Sequence, residues 1–327
     1  MATTPSSQNQ FIHRLRRLAA SQGPYLALAL LLLVCAASSP AFRRPQNLLN
    51  ITRQVSYSGI IALGMTAVII GGGIDLSVGA LLAFAGTVGI MAMNTCDNPT
   101  AGLTVAIVVM LLTGAAGGAI NGALVTIGRL PPFIATLGTL SIFRSLSLYL
   151  AGAGLTTARH DVFMQVGGAV IGGVPLPAWI LLLLTALGAV LMTCTKLGRH
   201  ICAVGSNQRV ARYAAINTGK VTLITYVLIG LLAGVSAFLL GGRLGSISSS
   251  TAGNAYELDA IAAVIIGGAS MAGGRGSMTG TLAGILILGI IANILDMWGV
   301  SVYLQGAVKG VVIIIAVLLQ RPQNQQA

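Results

Sequence analysis

Residues 54–94 read QVSYSGIIALGMTAVIIGGGIDLSVGALLAFAGTVGIMAMN, two apolar runs joined by Gly71-Gly72-Gly73-Ile74-Asp75-Leu76-Ser77. Each run approaches the roughly 20 apolar residues that carry a helix across a bilayer. Neither is polar along one face, as a helix on the surface of a soluble domain would be. Asp75 or Ser77 stands where it can cap the helix that follows. An ionisable group beside a span is costly, so the same pair is equally a candidate for a solute pathway.

The pattern recurs along the chain. Apolar segments fall at about 24–41, 54–73, 76–94, 101–127, 132–152, 175–195, 219–241, 257–271, 277–297 and 301–320. The eighth is short and ends in glycines, which predicts a broken or re-entrant helix, tolerated only where protein or a water-filled cavity shields its backbone. The expected fold is an all-α polytopic membrane protein of about ten transmembrane helices. It places a transmembrane domain over 24–320 between tails at 1–23 and 321–327. Composition agrees: of 327 residues, 55% are hydrophobic and only 7% charged, against about 25% charged in soluble domains. The mean hydropathy is +0.91. The 43 glycines are what close helix packing in lipid requires.

A net charge of +12 is one footprint of nucleic-acid binding. Here the basic residues lie between apolar segments instead of forming a patch, so membrane topology explains them and nucleic acid is not an expected partner. With the N-terminus inside, 11 Lys and Arg fall on the cytoplasmic side and 5 outside, with Arg144 and Lys309 inside spans. That excess places both termini in the cytoplasm, although Arg43, Arg44 and Arg53 run against it. The basic residues before Tyr25–Ala37 resemble a signal peptide, and the segment is expected to stay as an uncleaved anchor. Cys35, Cys96, Cys194 and Cys202 show no paired spacing, so neither disulfide nor metal is expected.

Two connections are long. The outer one spans 153–174 and the inner one 196–218. The inner one has room for a short helix over Gln208–Ile216. It reads either as a docking element on the membrane surface or as a basic loop needed only for insertion. An internal echo is also present: Ala67-Val68-Ile69-Ile70-Gly71-Gly72 recurs as Ala263-Val264-Ile265-Ile266-Gly267-Gly268, and transporters often carry repeats with a pathway between them.

Catalytic chemistry is poorly supported. The six acidic residues and three histidines form no metal-ligand spacing, and no phosphate-binding glycine loop carries a lysine. The chain is therefore not expected to be an enzyme. Arg144 and Lys309, inside spans, need partners, and Asp259 and Asp296 are candidates for Lys309. Asn121 and Asn293 suit hydrogen bonds between helices or the wall of a sugar path. Few buried charges fit a neutral hydroxylated solute better than an ion or proton route.

Three stretches resemble the permease subunits of ribose-type ATP-binding-cassette (ABC) sugar importers. They are Ala62-Leu63-Gly64-Met65-Thr66 with Gly73–Gly79; Leu197-Gly198-Arg199-His200 with Ala203–Asn207 and Ala211-Arg212; and Tyr256–Ile261 with Gly267-Gly268, Gly273–Gly276 and Gly280-Thr281. The resemblance implies a ten-helix subunit of the bacterial inner membrane that pairs with a second permease. An ABC ATPase would bind below and a periplasmic sugar-binding protein above. Carried over by residue, Gly205, Asn207, Ala211, Arg212 and Ile216 would couple to the ATPase. ATP and Mg would belong to that partner, and no cofactor to this chain. The cargo expected is ribose or a similar aldose such as allose. The alternatives are a branched-chain amino acid, nucleoside or signalling sugar, or an ATP-independent secondary transporter. Glu257 and Asp259 belong to the third stretch and count as structural or pathway charges beside Arg144 and Lys309. The family commonly has Gly-Ile where this chain has Ala215-Ile216, which implies a different end to the cytoplasmic helix.

Overall fold

The computed structural model describes residues 7–319. The predicted tail 321–327 lies outside them, as do the first six residues of the tail 1–23. The first half holds α1 (Ser7–Ser38), α2 (Pro45–Ile70), α3 (Val78–Asn94), α4 (Pro99–Thr126), α5 (Pro132–Leu150), β1 (Leu155–Thr157), α6 (Asp161–Gly167), β2 (Val170–Ile171) and β3 (Val174–Pro175). The second holds α7 (Leu176–Cys194), α8 (Lys196–Ser206), α9 (Gln208–Tyr213), α10 (Thr218–Leu244), β4 (Ser246–Ser248), α11 (Tyr256–Ile266), α12 (Met278–Met297) and α13 (Val302–Leu319).

By length and composition, six of the described helices can cross a membrane: α2, α4, α5, α7, α10 and α12. Residues 22–38 and α3 are shorter apolar helices. The chain is thus a polytopic α-helical membrane protein. Its strands form two antiparallel ladders, β1 with β4 and β2 with β3. They depart from an all-α expectation only in the loops, where pairs of two or three residues carry no hydropathy signal.

Helix α2 is the axis of the fold. Every residue from Val55 to Ile70 is buried, so the helix is apolar all round because other helices enclose it. It begins nine residues before the expected segment 54–73. Pro45 is preorganised for a first helical turn, and the polar stretch after it satisfies itself: Asn47 and Asn293 exchange amide hydrogen bonds of 3.0 and 2.9 Å.

Glycine sets the crossing of α4 and α10. Gly114 and Gly118 of α4 face Gly230 and Gly234 of α10. A methyl group on Gly114 would overlap the Gly230 carbonyl, and one on Gly230 would overlap that of Gly114. Two small-xxx-small stripes therefore meet backbone to backbone, the arrangement that substitutes for a hydrophobic driving force in lipid. Hydroxyls add bonds between helices, as from Ser236 to the Tyr57 carbonyl at 2.7 Å and between Thr66 and Thr281 at 2.7 Å.

The region expected at 257–271 is a short helix. α10 ends at Gly245 in the left-handed conformation, φ 66°. The chain then runs back into the protein as β4 and the irregular segment 249–255 before α11 begins. Ile247 is fully buried, set against Gly86 and Gly241, and the Gly253 carbonyl packs on Gly79. This element is a half-helix preceded by extended chain.

Candidate functional site

The inner connection 196–218 folds as two capped helices. Thr195 accepts from the Gly198 N–H at 3.2 Å to start α8. Asn207 breaks α8 and opens α9, its Oδ1 accepting from the Arg209 and Val210 N–H groups at 3.0 and 3.1 Å. Asn217 then caps α10 through the Lys220 N–H at 2.9 Å. Asn at an N-cap supplies the acceptor that the first free amides need.

Gly205 is where this element meets the rest of the protein. A Cβ there would overlap the Ile70 carbonyl at the end of α2, and Gly273 packs on the Gly205 carbonyl. The Gly274 N–H donates to the same Ile70 oxygen at 2.8 Å. One residue of α8 therefore touches the turns that follow both α2 and α11. A cavity of about 1050 Å³ opens beside it, lined among others by Gly72, Gly205, Asn207, Arg212 and Arg129. The Arg212 Nε–H donates to the Thr218 hydroxyl at 3.2 Å. Ala211 is buried and Ile216 half-buried against the core. Burial pushes the Cys202 thiol on α8 up from its ordinary value.

The end of α9 is set by Ala215. Ala215 has φ 57°. Its N–H donates to the Arg212 carbonyl and that of Ile216 to Ala211, both at 3.0 Å. The helix ends in the left-handed turn that glycine favours, with Ala215 at the left-handed position.

Asp75, Ser77 and Asn121 converge on one fully buried network. Asp75 Oδ1 accepts from the Ser77 N–H and hydroxyl at 2.9 and 2.7 Å. Asn121 donates to Asp75 Oδ2 at 3.2 Å and to the Ser77 hydroxyl at 2.7 Å. Thr139, which sequence reading passed over, donates to Asn121 Oδ1 at 2.6 Å. Asp75 thus tightens the turn before α3 and ties it to α4 and, through Thr139, to α5. Asn293 lies elsewhere, paired with Asn47.

Arg144 on α5 donates to the Ser249 and Ala252 carbonyls at 2.9 and 3.0 Å, and to Asn254 Oδ1 at 3.0 Å. It fastens the irregular segment before α11, and the Glu257 charge lies close enough to interact with it. Lys309 pairs with Asp259 at 2.9 Å, while Asp296 accepts from Gln305 at 2.6 Å. Asn254 was also missed by sequence reading. Its only signal is a polar residue just before the Tyr256–Ile261 run. Among the described residues, no group of three or more His, Cys, Asp and Glu could hold a metal ion.

Residues 47–317 match the family described as the branched-chain amino acid transport system / permease component. The chain is 42% identical over 304 residues to the ribose import permease protein RbsC of Bacillus subtilis, covering 92% of this chain and 93% of that protein. It is 42% identical over 307 residues to RbsC of Escherichia coli strain K12, covering 93% and 94%. It is 36% identical over 300 residues to the D-allose transport system permease protein AlsC of the same strain, covering 91% of each. No solved structure matches. The match runs through the broken α10–α11 region, the buried Asp75 turn and the capped α8–α9 element alike, and the chain therefore belongs to this family of transport-system permease components.

Proposed function

We propose that this chain is the membrane-spanning permease subunit of an ABC importer of the bacterial inner membrane, carrying ribose or a similar aldose. The observation that carries the reading is identity of 42% to ribose import permeases over more than nine-tenths of both chains. Energy would come from a separate ATPase subunit holding ATP and Mg, solute from a periplasmic sugar-binding protein, and the second wall of the path from another permease copy. This chain then performs no catalysis.

The ten-crossing topology belongs to the same proposal. Residues 24–38, α3, the extended 245–255 stretch with α11, and α13 add four crossings to the six long helices, with both termini cytoplasmic. The α8–α9 element then faces the ATPase, with Gly205, Asn207, Ala211, Arg212 and Ile216 as coupling residues. Gly205 supplies the mechanism. It touches the turns after α2 and α11 at once, so a push on α8 would move both turns together.

The test is uptake of labelled ribose and allose by proteoliposomes containing the chain with its co-purified ATPase and binding protein. ATP-dependent uptake indifferent to ionophores is expected. Uptake that follows an ion gradient without ATP would overturn the reading in favour of a secondary transporter. The family description favours one other cargo, a branched-chain amino acid, and competition by excess leucine would reveal it.

A further inference from the structure

The irregular segment 249–255 presents polar groups outward at a depth where lipid cannot satisfy them. Arg144 is about 9 Å from the C-terminal end of α5 and about 18 Å from its start, at 1.5 Å per residue, and it bonds Ser249, Ala252 and Asn254 directly. Ile247, just before the segment, packs on Gly86 at the middle of α3, and Gly253 packs on Gly79 at its start. The segment therefore lies well inside the span of α3 and α5. Yet Ser250, Thr251 and Asn254 are exposed, and so are Ser141 and Ser145 on the Arg144 side of α5. Residues three and four apart on a helix share a face, so Ser141, Arg144 and Ser145 form one strip beside the segment.

Non-helical backbone at membrane depth persists only where it is covered by protein or lines water. The chemistry selects water. Arg144 uses three of its five N–H donors on this segment, and Asn254 Oδ1 receives one of them. Among the described hydrogen bonds, none engages the N–H groups of the Asn254 side-chain amide, while its backbone N–H donates to Thr251. Hydroxyls, an amide and a fixed cation suit a neutral polyol, whose hydroxyls both donate and accept, and the charge repels cations. By contrast α7 turns Leu183, Leu187 and Val190 outward, which is what a lipid-facing surface looks like.

We infer that Ser141, Arg144, Ser145, Ser250, Thr251 and Asn254 line the water-filled path and touch the sugar's hydroxyls as it passes. The inference rests on the transport reading above and adds where the path runs. Arg144 fastens the unwound segment in place as part of that wall.

The experiment uses the assembled complex in vesicles carrying Ser145→Cys, Asn254→Cys or, as a lipid-facing control, Leu187→Cys. A membrane-impermeant methanethiosulfonate is added from outside during ATP turnover, and modification at each introduced thiol is read by peptide mass spectrometry. Cys35, Cys96, Cys194 and Cys202 therefore stay in place. A thiolate forms in water and is suppressed in hydrocarbon, so labelling at least about tenfold faster than at Leu187→Cys is expected for both path positions. Excess ribose should slow it. Rates equal to the control, or efficient oxidative cross-linking between two copies without aqueous labelling, would overturn the inference in favour of lipid or a dry contact. Labelling that ribose leaves unchanged would overturn the sugar contact. Uptake by the unsubstituted complex is measured in the same vesicles, so failure of the transport reading shows there and not in the labelling.

Discussion

Gly72 and Gly268 hold the same position in two copies of one helix-ending turn. Gly72 has φ 83° and Gly268 φ 88°. Each donates to the carbonyl three residues back, Ile69 and Ile265, both at 2.9 Å. The next N–H groups, of Gly73 and Ala269, reach Val68 and Val264 at 2.9 and 3.1 Å. Both helices therefore end in a Schellman turn, and the six-residue sequence echo is a structural repeat. The Ile70 carbonyl in the first copy accepts from Gly274 in the loop after the second.

Alanine at either position should be strained without being crowded. A Cβ on Gly72 would meet only the Gly205 Cα at 3.7 Å, and one on Gly268 the Pro24 ring at 3.6 Å. The left-handed backbone costs a non-glycine residue about 1–2 kcal/mol. Gly72→Ala and Gly268→Ala should each lower stability by that amount in thermal unfolding of the purified chain. Gly205→Ala should lose more, because it collides with the Ile70 carbonyl. Equal losses at all three sites would contradict this ordering.

The Asp75 network predicts coupled losses. Asp75→Ala leaves the Ser77 N–H and one Asn121 N–H buried without the acceptor they had, at about 1–3 kcal/mol per unsatisfied group. Thr139→Val, nearly the same shape, removes one bond to Asn121 and should cost about 1 kcal/mol. Asp75→Ala and Asn121→Ala share partners, so a double-mutant cycle should return a coupling energy above about 0.5 kcal/mol. Additive effects would show that the network does not act as a unit. Loss of uptake in Asp75→Asn with stability intact would give Asp75 a pathway role.

Ala215 predicts a gain. It sits at φ 57° with an exposed side chain, and Ala at positive φ is disfavoured against Gly by more than the entropy that Gly loses on folding. Ala215→Gly should therefore stabilise the end of α9 by about 1 kcal/mol. Slower hydrogen exchange of the Ile216 amide, which donates to Ala211, would register it. Unchanged or faster exchange would count against the strain.

The long helices were legible because hydropathy alone marks them. The expected 101–127, 132–152 and 277–297 lie within two residues of α4, α5 and α12 at each end. Asp75 and Asn121 were visible as polar groups in apolar surroundings, but their meeting was not, since it joins residues 46 apart in sequence. The start of α2 was hidden because Asn47 and Asn293 satisfy each other only after folding. Likewise nothing in 249–255 announces depth. The segment reads as a surface loop until Arg144 is seen to hold it beside α5.

Arg212 gives the sharpest test of the coupling surface. It is exposed, and its one described hydrogen bond goes to Thr218, which begins α10. Exposed substitutions of this kind usually change folding stability by less than about 0.5 kcal/mol. Arg212→Glu should therefore leave thermal unfolding of the chain nearly unchanged. If the rim of this cavity receives the ATPase, reversing the charge replaces an attraction by a repulsion. Uptake and sugar-stimulated ATP hydrolysis should then fall by at least about tenfold, a barrier increase of about 1.4 kcal/mol. Arg212→Lys keeps the charge and should retain most of both. Wild-type uptake in the Arg212→Glu complex would remove Arg212 from the coupling surface and leave it a cap on the turn between α9 and α10.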